Sequence, residues 1–120
     1  MNEPIEIKNA VIESAEITIG DRGTLDCWLC LDYGNGGHQG FGGYALYLPR
    51  SFRNHQLLSV AGHHLFRILE IAGVEEWSQL KGRTIRVASS HQRIKSIGHI
   101  VKDDWYDPAA DFKAILDSQP

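Results

Sequence analysis

From Ile5 to Ile19 apolar and polar residues alternate. Ile5, Ile7, Val11, Ala15, Ile17 and Ile19 fall on one parity, and Glu6, Lys8, Ser14, Glu16 and Thr18 on the other. Successive side chains of an extended chain point to opposite faces, so the pattern predicts a long strand with its isoleucine face turned to a core. Gly20-Asp21-Arg22-Gly23 has the residues of a tight turn. A second strand, Thr24 to Tyr33, puts Leu25, Cys27, Leu29, Leu31 and Tyr33 on one face and Asp26, Trp28, Cys30 and Asp32 on the other. Trp28 and Cys30 on the outward parity suggest a second covered surface, such as a subunit contact.

After the glycine-rich run from Tyr33 to Tyr44, a third strand is expected over Tyr44 to Leu48, stopped by Pro49. A basic loop (Arg50, Ser51, Phe52, Arg53) leads to a helix from about Gln56 to Ala72. Ala61, Leu65, Ile68, Leu69 and Ala72 share one face of it, and Gly73 is placed to cap it. Glu75 to Leu80 reads as a short helical turn. A second hairpin pairs Thr84–Ser89 with Arg93–Val101 through Ser90-His91-Gln92, and Asp107-Pro108 opens a last helix reaching Ser118. Strands joined by short turns, with two long helical patterns, predict one α+β domain over residues 1–120. Its architecture is an antiparallel or mixed β-sheet of about five strands with two main helices packed on one face.

The 120 residues, 42% of them hydrophobic, suffice for one domain with a real core. A formal charge of −3 disfavours a duplex nucleic-acid partner while leaving local basic patches open. No stretch approaches the roughly 20 apolar residues of a membrane span, and Met-Asn-Glu-Pro does not open a signal peptide. The expected location is therefore the cytoplasm. Cys27 and Cys30, three apart on a strand, point to opposite faces, which argues for two reduced thiols rather than a disulfide or a redox pair.

Two segments carry the candidate chemistry. The glycine run contains Phe41, Gly42, Gly43 and Tyr44. It could be a bulged connection at a sheet edge, or a nest of backbone N–H groups for phosphate with two aromatics to stack on a base. It matches neither the dinucleotide fingerprint nor a Walker loop, and no cofactor is implied. The second segment brings Arg86, His91, Arg93, Lys95, His99 and Lys102 onto one hairpin. That strip is either a solvated face or a set of anion-binding groups in an otherwise acidic chain. The six histidines do not suggest a metal. His63 and His64 diverge on a helix, and His38, His91 and His99 have no carboxylate at ligand spacing in the chain. Ser89-Ser90-His91 and Asp103-Asp104 with Asp107 do not rise above turn and helix-end chemistry, so a binding module is expected rather than an enzyme.

Gly40-Phe41-Gly42-Gly43-Tyr44-Ala45-Leu46 and Ile97-Gly98-His99-Ile100-Val101-Lys102-Asp103-Asp104-Trp105-Tyr106-Asp107-Pro108 are the two most distinctive segments. With Gly73-Val74-Glu75-Glu76-Trp77 and Leu80 to Val87, they resemble the Thoeris anti-defence one family of small phage proteins. The resemblance spans Ile7 to Phe112. It implies a homo-oligomer of α+β protomers, a dimer or larger. In the cytoplasm of an infected host cell this oligomer would bind cyclic ADP-ribose isomers without cleaving them, and in some members cyclic oligonucleotides at separate sites. By that likeness Phe41 or Tyr44 would stack on adenine, His99 would meet the base edge, and Arg50, Arg53, Arg86 or Arg93 would meet the diphosphate. The rival reading is a phage interaction module that inhibits a host enzyme, with Trp28, Phe52 and Trp105 as anchors. A nucleotide-processing enzyme stands third.

Overall fold

The structure, a computed structural model, describes residues 4–19, 25–44, 46 and 60–117. The elements are β1 (Glu6–Ile19), β2 (Leu25–Asp32), β3 (His38–Gly42), α1 (Val60–Ala72), β4 (Thr84–Ser89), β5 (Ile94–Gly98), β6 (Trp105–Tyr106) and α2 (Pro108–Asp117). A 3₁₀ turn at Trp77–Gln79 precedes β4. The strands form one six-stranded antiparallel sheet in the order β3-β2-β1-β4-β5-β6. The fold is therefore α+β, with both helices against the buried face. No helix among the described residues is long and apolar enough to cross a membrane.

β1 organises the sheet because its two halves pair on opposite sides: Glu6 to Val11 with β4, and Val11 to Ile19 with β2. Between Ile12 and Ser14 the register shifts, leaving Glu13 as an extra residue. A bulge of this kind puts two residues of one strand opposite one of the next and reverses the inside–outside parity beyond it. Ahead of it the even positions Ala10 and Ile12 are buried, and behind it Ala15 packs on the core. The expected isoleucine face is thus corrected. Ile7 and Val11 lie on the uncovered side, 65% and 40% exposed. Ile17 and Ile19 pair with Cys27 and Leu25 on the core side but run past the packed part of it. The freed backbone of Ile12 bonds to the approach to β4: its N–H donates to the Arg83 carbonyl at 2.8 Å, and its carbonyl accepts from Gly82 at 2.7 Å.

The third strand lies earlier than expected, inside the glycine run. Asp32 accepts from the Gly34 N–H (2.8 Å) and Asn35 from that of Gly37 (3.1 Å), turning the chain so that His38–Gly42 pairs with Asp32–Trp28. Within the expected Tyr44–Leu48 strand, Leu46 makes a bridge to Leu25. The rest of that segment beyond Tyr44, the 20–24 turn, the 50–53 loop, the expected helix start at 56–59 and Ser118 lie outside the described residues. β5 is shorter than expected, and Trp105–Tyr106 adds a sixth strand. α2 begins where Asp107 caps it, accepting from the Ala110 N–H at 3.2 Å. Cys27 is buried in the core, Cys30 faces the other side, and both are free thiols. Burial pushes the Cys27 thiol up to about 11.

The buried face closes around His64 of α1. Its ring stacks on Phe41 (centroids 5.8 Å, planes 11° apart) and meets Tyr106 and Phe112 edge-on at 5.5 and 5.8 Å. Its Nδ1 is 2.5 Å from the Tyr106 hydroxyl, while Nε2 has no partner among the described residues. A sealed imidazole resists protonation. Desolvation, helped by neighbouring His63, lowers its pKa to about 4 from an ordinary 6.5.

The unfolded chain therefore takes up this proton more readily than the folded one. Stability is full above pH 6.5 and falls as the pH drops from 6.5 to about 4, by about 3 kcal/mol in all. Urea denaturation across that range should show the decline in the native chain and a flatter profile in His64→Leu, whatever the variant's own midpoint. Equal slopes would refute the assignment.

Candidate functional site

β3 is an edge strand of the sheet among the described residues, and its inward residue Gln39 reaches across to the turn between β4 and β5. The Gln39 amide nitrogen donates to the Ser90 carbonyl at 2.9 Å and more weakly to that of His91 at 3.4 Å, while its oxygen accepts from the Tyr33 hydroxyl. This clasp draws the edge strand toward the hairpin turn. Beside it lies a cavity of about 460 Å³, walled by Trp28, Gln39, residues 40–44, Gln92, Arg93 and Ile94. A smaller hollow of about 200 Å³ adjoins it, sharing Tyr44, Arg93 and Ile94.

One wall is an indole laid on bare backbone. Trp28 pairs with Gly42, and a Cβ at Gly40, Gly42 or Gly43 would come within 3.1, 2.7 and 2.9 Å of the Trp28 ring. At Gly42 it would also sit 2.2 Å from the Cys27 carbonyl oxygen. These glycines thus admit Trp28 and close strand pairing at the sheet edge. Trp28 remains 46% exposed, an aromatic face open to the cavity.

Across from it stand Tyr44 and Arg93. Burial pushes the Tyr44 phenol up, the Asp107 carboxylate adds to the shift and the Arg93 cation opposes it, so the hydroxyl stays protonated at neutral pH. Among the described residues the Arg93 guanidinium has no hydrogen-bond or ion-pair partner. Neighbouring Lys95, by contrast, is held by Asp107 at 2.8 Å. The lining thus offers an indole, a phenol, the Gln92 amide, open backbone and a cation without a partner among the described residues.

The structure gathers five of the ten sequence candidates here: Phe41, Gly42, Gly43, Tyr44 and Arg93. Phe41 is a correction in detail. At 1% exposure its ring belongs to the His64 cluster and is not open for stacking on a base. Arg86 and His99 lie elsewhere. Arg86 donates from Nε to the His99 carbonyl and from Nη2 to the Lys102 carbonyl, both at 2.7 Å, and its guanidinium sits 4.8 Å from the Trp105 ring centre. His99 accepts the Val101 and Lys102 N–H groups at Nδ1. Both residues build the turn into β6, so the expected continuous basic strip is broken up by local hydrogen bonding. Trp105, expected as an exposed anchor, is half-buried on Gly98. His91 borders a separate crevice of only about 10 Å³. Arg50, Arg53 and Phe52 lie outside the described residues.

Trp28, Gln39 and Gln92 were not among the sequence candidates for the site. The outward parity of Trp28 was legible, but its place over the glycines depends on the Trp28–Gly42 register. No protein-family model, no curated protein and no solved structure matches the chain.

Gly42→Ala should cost about 3 kcal/mol, because the added methyl group forces β2 and β3 apart. Gly36→Ala, with φ +86° and open space around it, should cost only about 1 kcal/mol of backbone strain. Denaturation of both variants checks the difference, and equal losses would contradict the close-approach role.

Proposed function

We propose that the protein binds and sequesters a small cyclic nucleotide at this cavity without cleaving it, a cyclic ADP-ribose isomer being the first candidate from the sequence resemblance. The observation that carries the reading is the Arg93 guanidinium, without a partner among the described residues, beside a cavity walled by the exposed Trp28 indole and the Tyr44 phenol. A volume of about 460 Å³ falls in the range of small-molecule sites. Base stacking on an aromatic face is worth about 1–3 kcal/mol, and an arginine fork suits phosphate oxygens. Gln92 can read a base edge in place of the expected His99. The lining residues hold and orient; none is a carboxylate, histidine, cysteine or serine that could form an acid–base or nucleophilic pair.

Oligomerisation belongs to the same proposal. Ile7, Val11 and Trp28 share the sheet face turned away from the helices, and burying them against a second copy would remove apolar surface from water. The same exposed face favours the second reading, an interaction module that docks on and inhibits a host enzyme.

Calorimetry with cyclic ADP-ribose isomers decides the first point. A charge-assisted hydrogen bond contributes about 1.5–3 kcal/mol, so Arg93→Ala should weaken binding by roughly 10- to 100-fold. Trp28→Ala should lose affinity as well. Arg86→Ala should instead lower the melting temperature while leaving affinity near that of the native chain. Ligand released by heating should be recovered intact. If no isomer and no cyclic di- or trinucleotide binds below about 10 μM, the reading fails and the interaction module replaces it. For assembly, light scattering at micromolar concentration should give a dimer or larger; a monomer would remove the oligomer from the proposal.

A further inference from the structure

On the uncovered face of the sheet, three neighbouring strands bring together a donor set that their distances in the chain conceal. Glu13 is the extra residue of the β1 bulge, Asp32 ends β2, and His38 opens β3 directly opposite Asp32. His38 Nε2 lies 2.9 Å from Glu13 Oε2 and 3.8 Å from Asp32 Oδ1, and one donor atom from each residue falls within 4.8 Å of the others. Cys30, outward-facing one strand pair along, places its Sγ 4.0 Å from the same Glu13 oxygen. From these juxtaposed side chains we propose a divalent-metal site, with His38, Glu13, Asp32 and Cys30 as its four protein ligands and zinc as the ion it suits best.

Coordination geometry supports this. Tetrahedral zinc holds nitrogen and oxygen at about 2.0–2.2 Å and sulfur at about 2.3 Å, which sets neighbouring donors roughly 3.3–3.7 Å apart. The His38–Glu13 and His38–Asp32 separations of 2.9 and 3.8 Å straddle that range, while Cys30, 4.0 Å from Glu13 but outside the mutual group of three, joins the set by a side-chain rotation toward it. The three side chains are between 39% and 53% exposed, so small rotations can open the His38–Glu13 contact to admit an ion. A mixed set of imidazole, carboxylate and thiol is borderline in softness. It suits zinc and related transition ions, whereas magnesium and calcium favour oxygen alone. Asp32 is already oriented by the Gly34 N–H at 2.8 Å, the kind of outer contact that fixes a ligand.

The bulge acquires a purpose on this reading. It puts Glu13 beyond the regular register of β1 and within reach of both partner strands. Without a metal the same groups would form only an exposed histidine–carboxylate contact, worth little. Metal bound there would tie β1, β2 and β3 together on the face that also carries Trp28. The site is independent of the nucleotide cavity, and neither proposal stands or falls with the other.

The test uses the untagged full-length chain under reducing conditions. Cobalt(II) should bind with a tetrahedral visible spectrum and a thiolate charge-transfer band, and zinc should displace it stoichiometrically with a dissociation constant of about 1 μM or lower. His38→Gln and Glu13→Gln should each weaken zinc binding at least about tenfold while keeping the metal-free melting temperature. Cys30→Ser should abolish the charge-transfer band. His63→Gln, altering the His63–Asp111 pair on the two helices, should leave zinc affinity unchanged. The proposal is overturned if no stoichiometric site is found, if the cobalt spectrum lacks the thiolate band, or if His38→Gln binds zinc as the native chain does.

Discussion

The imidazole of His64 is the contact on which the architecture converges. It lies on Phe41 of β3, bonds to Tyr106 of β6 and meets Phe112 of α2, so one α1 side chain joins both edges of the sheet and the second helix. A neutral histidine can do this because its flat ring packs like an aromatic while one nitrogen still satisfies a buried hydroxyl. The arrangement fails on protonation, since among the described residues the cluster offers no carboxylate to the new charge. Asp111, the nearest acid of α2 in this network, is already engaged by His63 at 2.7 Å.

The same cluster determines what the edge of the sheet can offer. Phe41 points inward to His64, so its neighbours in β3 point outward, and these are Gly40 and Gly42. Bare backbone there is what lets Trp28 fold across the strand and become a wall. Gln39, on the inward parity with Phe41, is then free to clasp the hairpin turn that carries Gln92 and Arg93. Core packing, the close approach of Trp28 and the position of Arg93 are thus consequences of one strand's alternation.

Arg86 and Arg93 illustrate how similar residues acquire different work. Arg86 sits within β4, where the turn into β6 presents two carbonyls and the Trp105 face, and its guanidinium is spent on them. Arg93 sits at the end of a turn whose carbonyls are already used: Ser90 and Arg93 pair through their backbones, and Gln39 takes the Ser90 carbonyl. Among the described residues its guanidinium therefore meets no acceptor, and it stands beside the cavity. Residue type gave no means of separating the two, because the difference lies in which acceptors the surrounding chain leaves free.

Local pattern was enough to read β2, β4, the later part of α1, the cap of α2 and the opposite orientations of Cys27 and Cys30, because each follows from a regular period or a capping residue within a few positions. It also marked the glycine run and its aromatics as unusual. It misread β1, since a single extra residue at Glu13 reverses parity without leaving any trace in composition, and it left His38–Gly42 unread as a strand because glycines depress strand propensity until a partner strand supplies the hydrogen bonds. The cavity and the Glu13–Asp32–His38 group were beyond it. Those depend on cross-strand register, which sets residues 6 to 52 positions apart side by side. The sequence by itself determined which segments extend or coil and which way most of their side chains alternate. Only the tertiary structure decided which of the charged and aromatic side chains are consumed by packing and which remain free to meet a ligand, because that choice is made by neighbours that are distant in the chain.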